Sequence, residues 1–264
     1  MKRWVSGLLA VAMLTLVVSA STFAIALTRV SNFTSYASPV PVQVSNTVQI
    51  PASQPEITTS SIISFTPKLD LSFARWSLVD QSSKESKQAT KTVSEELKKY
   101  TAEQLQQFGL KRVYLVANLY VDGTYRSGMP EGQFEDALYF DISSTYFSSE
   151  NGAYMRRTIH HELRHLADYN MHGSYRPDDT AWKQCNSNEF TYGRGGASMY
   201  ADVSYAHAAH PKTGFITGYA TSGIDEDRAE VFAYYMTDAS YLYKTAQDDA
   251  SLSCKIQLTS KLIN

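Results

Sequence analysis

A mixed α/β domain of the α+β kind is the fold class this sequence predicts, and three observations carry it. An amphipathic helical run precedes two runs rich in Val, Tyr, Leu and Phe, and a second helical run follows them. A long, loop-like region then leads to a further helical stripe, giving the order helix, strand, strand, helix, long loop region, helix.

In chain order, Lys2 and Arg3 precede an uncharged apolar run from Trp4 to Leu27, and Arg29 follows. This layout predicts an export signal or a retained membrane anchor over 1–29. The run can span a bilayer, which takes about 20 apolar residues. Val18-Ser19-Ala20 offers a small-residue cleavage site, and removal and retention both stay open. Positive charge on the short N-terminal side places the bulk of the chain outside the cytoplasm. Residues 30–68 are Ser, Thr, Pro, Val and Gln with little charge, punctuated by Pro39, Pro41, Pro51, Pro55 and Pro67. They read as an extended, flexible spacer, with a docked strand near Val40 to Ile50 as the alternative. The folded domain is expected over 69–264.

Within it, Leu97, Tyr100, Leu105 and Phe108 share an apolar face, predicting a helix over 93–108 that Gly109 ends. A strand is predicted over 112–121 with a turn at Asp122-Gly123, and a second strand over 137–142. Over 154–169 the period returns to helical, with Met155, Ile159, Leu163 and Leu166 on one stripe. A net charge of −2 gives no sign of nucleic-acid binding. Cys185 and Cys254 fit one disulfide in an exported protein, against the alternative of two free thiols.

The second helical run carries His161-Glu162-Leu163-Arg164-His165, an H-E-x-x-H string. Histidines four apart on a helix stack on one face and can reach a single metal ion, here one Zn²⁺. Glu162 points to the flank where a water activated by zinc would lie. Asp168 lies on the histidine side, where a carboxylate can orient a ligand imidazole; otherwise it is a solvated late-helix residue. A third protein ligand is needed. The extended form with a glycine and a third histidine fails, because Asp168 and Met171 occupy those positions. Two glutamates compete. Glu189 lies in a loop-like segment, whereas Glu226 opens a helical stripe of Ala229, Phe232, Ala233 and Met236. Glu230, one turn on, shares the face of Glu226 and can support a ligand histidine.

The segment Tyr219 to Ala233 resembles the third-ligand segment of gluzincins of the anthrax lethal factor and Pro-Pro endopeptidase type, which carry a tyrosine seven residues before the ligand glutamate and then A-E-x-F. The wider run 93–236 resembles zinc-binding metallopeptidases of bacterial envelopes, with Thr158 to Tyr169 matching T-I-H-H-E-x-x-H-x-x-D-Y and Phe190 to Gly193 matching F-x-Y-G. Arg164 departs from the lethal factor type, which has glycine there. The resemblance implies a zincin-like domain with a small mixed sheet, His161, His165 and Glu226 as ligands, and Glu230 supporting them. It further implies a zinc-dependent endopeptidase with Glu162 as general base and Tyr219 as donor to the oxyanion. A monomeric protein at the bacterial cell surface, acting on proteins or peptides and either secreted or tethered through its N-terminus, is the expected setting. A non-catalytic adhesion protein on the same fold, or a hydrolase of cell-wall amides, are the alternatives.

Overall fold

The structure, a computed structural model, describes residues 59–143 and 152–263, all within the compact unit Asn46–Asn264. The expectations for 1–29 and for most of the spacer lie outside the described residues.

The chain enters with β1 (Ile63–Ser64), β2 (Ala74–Ser77) and α1 (Lys84–Leu97), then α2 (Ala102–Gln107) and β3 (Arg112–Val121). β4 (Thr124–Tyr125), β5 (Gly128–Glu131) and β6 (Ala137–Asp141) follow before the long α3 (Gly152–His172). Beyond it come α4 (Thr180–Gln184), α5 (Val203–Ala206), the two-stranded β7 (Ala209–Lys212) and β8 (Phe215–Thr217), and then α6 (Ile224–Thr237), α7 (Ala239–Thr245) and α8 (Ala250–Ile263).

Two expectations need correction. The spacer does not run unbroken to residue 68: Ile63 and Ser64 pair in parallel with Val113 and Tyr114, and Ile62, Ile63 and Phe65 pack on the main core. Three apolar side chains among polar neighbours were enough to dock a short strand, too short to show a period. The helix expected over 93–108 is two helices. Thr101 accepts from the Gln104 N–H while the Gln104 side chain accepts from the Thr101 N–H, a capping box that starts α2 afresh.

The main sheet is mixed and runs β1-β3-β6-β5, with β1 and β6 parallel to β3 and β5 antiparallel to β6. Asn118, with φ at 53°, bends β3, so that its far half pairs antiparallel with β2 and β4 instead. The bend is held by Asp141 at the end of β6, which accepts from the Leu119 N–H at 2.8 Å. The turn at Asp122-Gly123, both at positive φ, joins β3 to β4 as the sequence predicts.

One face of the sheet packs with α1, α2, α3 and α6 around Val93, Leu97, Phe108, Leu115, Phe140, Ile159, Leu163, Leu166 and Phe232. Full burial of each such side chain contributes about 2 kcal/mol. The opposite face carries a smaller core of Leu71, Tyr114, Leu119 and Tyr139, and a third core gathers Trp182, Val231, Leu242, Leu252 and Ile256 from the C-terminal helices. The disulfide Cys185–Cys254 ties the end of α4 to α8, as the cysteine count predicts. Among the described residues no helix is long and apolar enough to cross a membrane.

Candidate metal centre

α3 presents its apolar side and its histidine side to different neighbours. Met155, Ile159, Leu163 and Leu166 face the main core, while His161 and His165 face α6. Gly223 caps the start of α6, and Asp225, Glu226 and Asp227 fill its first turn, where the helix N-terminus favours negative charge. This arrangement delivers Glu226 between the two imidazoles. Its Oε2 lies 3.1 Å from His161 Nε2 and 3.3 Å from His165 Nε2, and the two nitrogens are 3.1 Å apart. Glu189 is exposed in its loop, and among the described residues the cluster that could hold a metal is His161, His165 and Glu226.

Each of these groups is itself positioned. His161 Nδ1 bonds Glu230 Oε1 at 2.9 Å, and Thr217 on β8 donates to the other oxygen of Glu230 at 2.7 Å. With Nδ1–H donating to Glu230, the Nε2 lone pair of His161 points at the cluster. The Tyr219 hydroxyl donates to Glu226 Oε1 at 3.2 Å. Gly196 backs this pair closely: a Cβ there would fall 2.0 Å from the Tyr219 oxygen and 2.3 Å from Glu226 Oε1. Glu162 turns toward the sheet edge, where Gly128 opens β5 and a Cβ would fall 2.7 Å from Glu162 Cγ.

The electrostatics favour a cation at the meeting point. Burial works against a charged His161, yet Glu226 and Glu230 outweigh it and raise its pKa well above the ordinary value. Burial would raise Glu226, but hydrogen bonds from His161 and His165 hold it below the usual carboxylate range. Two imidazole nitrogens and a carboxylate oxygen converging at about 3 Å cannot share one proton three ways, whereas a divalent cation satisfies all three. The donor set fits Zn²⁺. Burial raises the pKa of Glu162, and burial with the nearby Glu226 charge pushes the Tyr219 phenol well up, so Tyr219 stays a donor.

Asp168 takes a different role from the one expected. Its Oδ1 accepts from Arg164 at 3.0 Å and from Arg228 of α6 at 2.9 Å, so it ties the two helices together instead of orienting a ligand histidine. Arg164, four residues earlier on α3, and Arg228, which a reading of α3 alone does not show, capture its charge. The adjacent His160, also buried, belongs to a second network. It sits between Tyr100, which bonds Nδ1, and Glu96, 2.7 Å from Nε2. The Phe190-Thr191-Tyr192-Gly193 string supports α6: Tyr192 donates to Asp227 at 2.6 Å, and the Gly193 N–H donates to Thr221 O at 3.0 Å.

An H-E-x-x-H helix crossing a second helix that supplies a carboxylate is the donor arrangement of a zinc metallopeptidase with two histidines and one glutamate. The chain belongs to the family described as "Putative zinc-binding metallo-peptidase", which matches residues 100–261. No curated protein and no solved structure matches the chain.

Proposed function

We propose that the protein is a zinc-dependent endopeptidase of the gluzincin type, exported and acting at the cell surface, secreted or tethered by its N-terminal segment. The observation that carries this reading is the convergence of His161, His165 and Glu226 with Glu162 alongside and Glu230 behind His161. His161, His165 and Glu226 would hold one ion, and Glu230 fixes the tautomer of His161. When bound, zinc lowers the pKa of a coordinated water toward about 7 and polarises the scissile carbonyl. Glu162 takes the proton of the attacking water and hands it to the leaving amine. Tyr219 donates a hydrogen bond to the oxygen that gains charge as the carbonyl is attacked. Export is supported by the N-terminal charge and apolar pattern and by the Cys185–Cys254 bridge, which persists in oxidising compartments.

The test is Glu162→Gln in the full chain. Its zinc content should match that of the parent, while cleavage in a peptide library falls by about 10²- to 10⁴-fold. Cleavage at the parent rate by the Gln variant would refute the assignment of the base. Parent protein purified without chelator and lacking zinc would refute the metal site. Activity confined to cross-linked cell-wall peptides would point to the amide hydrolase, and an adhesive activity indifferent to Glu162→Gln would point to the adhesion protein.

A further inference from the structure

Arg126 lies in the short link between β4 and β5, its N–H donating to Leu119 O at 2.9 Å. Two residues on, Gly128 abuts the Glu162 side chain, so Arg126 stands on the strand lip beside that carboxylate. The opposite lip is the helical turn Gly196–Ala201, whose first residue abuts Tyr219 and Glu226. Tyr200 of that turn receives a hydrogen bond from the Arg126 guanidinium, which also lies 5.0 Å over its ring. A cation and a phenol thus join the two lips of the metal centre.

Arg126 is half-buried, yet no carboxylate lies within ion-pair distance of it among the described residues. Arg156, Arg164, Arg176 and Arg228 each pair with an acid. A guanidinium has five N–H donors in a planar fork matched to a carboxylate, and among the described residues the Tyr200 bond engages only part of that fork. Its surroundings also matter. The cation stands beside a centre lined by the carboxylates Glu162 and Glu226, with Gly128 against the first and the Tyr200 turn against the second. Without it, Glu162 and Glu226 would repel an acidic ligand.

We propose that Arg126, assisted by the Tyr200 hydroxyl, anchors a carboxylate of the bound peptide, so that the cleft selects an acidic side chain or a free C-terminus close to the scissile bond. This selection rests on the peptidase reading, and binding separates the two. The zinc-loaded full chain carrying Glu162→Gln is titrated calorimetrically with acetylated heptapeptides in which one Glu or Gln is moved along the sequence, each as free acid and as amide. At one position the Glu peptide, or the free acid, should bind about tenfold tighter than its neutral counterpart, and which of the two does so names the source of the carboxylate. Adding Arg126→Gln should erase that preference while leaving the affinity for the neutral peptide unchanged, and Arg126→Lys should keep part of it. Absence of a preference, absence of binding, persistence of the preference in Arg126→Gln, or equal weakening of every peptide overturns the proposal. The chain with Glu162 intact is then given the same peptides. Selective binding without any cleavage would defeat the peptidase reading and leave the anion site standing; cleavage without selection would do the reverse.

Discussion

At the residue scale, the centre depends on two positions that have no side chain. Gly196 lets its backbone lie against Tyr219 and Glu226, and Gly128 does the same for Glu162. In Gly196→Ala the new methyl would overlap the Tyr219 oxygen at 2.0 Å and Glu226 Oε1 at 2.3 Å, and both must move. Displacing a reacting or ligating group by about 1 Å can cost about 10²-fold in rate. We therefore expect Gly196→Ala to lose about that much peptidase activity and to release zinc to a chelator at lower concentration. Gly196 is itself buried against these side chains, so the same overlap should also lower the melting temperature of the variant. Unchanged zinc affinity in this variant would show that Tyr219 and Glu226 are more loosely packed than the structure indicates. Neither glycine belongs to a motif, and no periodicity marks them. Their importance comes from partners 23 to 34 residues away in sequence.

At the scale of elements, α3 is held from behind as firmly as it is from the metal side. Glu96 of α1 receives hydrogen bonds from His160 and Arg156 of α3 and from Lys99. Burial alone would raise the Glu96 carboxyl, but these three partners outweigh it and bring it down to about 2. A carboxyl whose pKa is lower folded than unfolded adds stability that is fully present above its unfolded value, here 4.5. That stability is lost as pH falls through about 2, so the acid limb of unfolding should lie between these values. Glu96→Gln should be less stable at neutral pH and should show a flatter stability profile over that window by chemical denaturation. An identical profile in both proteins would exclude Glu96 as the titrating group. His160 illustrates why sequence resolved only part of this helix. The i, i+4 period identifies His161 and His165 as a pair, but three adjacent buried polar residues, His160, Arg164 and Asp168, acquire their roles from α1 and α6.

At the scale of the whole molecule, the C-terminal core and the disulfide hold the helix that delivers Glu226. Val231 of α6 packs with Trp182, Leu242, Leu252 and Ile256, and Cys185–Cys254 closes the segment between α4 and α8. Cross-linking residues 69 apart contributes up to about 4 kcal/mol by restricting the unfolded chain. The double variant Cys185→Ser/Cys254→Ser should lower the denaturant midpoint accordingly, and reduction of the parent protein should reproduce the shift. A midpoint insensitive to reduction would mean that the bridge carries no stability. The sequence by itself determined the strand at 112–121, a second strand expected over 137–142 that ends at Asp141, the long helix around His161 to His165 and the helical stripe that follows Glu226, because each rests on a local period, whereas the two cysteines fitted either a disulfide or free thiols until the structure joined them. Only the tertiary structure decided that Glu226 rather than Glu189 meets the histidines, that Asp168 serves the arginines, and that Arg126 and Tyr200 close on the centre from opposite lips. Those outcomes depend on which charges and glycines the packing of distant elements brings within a few ångströms, and no local pattern along a chain encodes that distance.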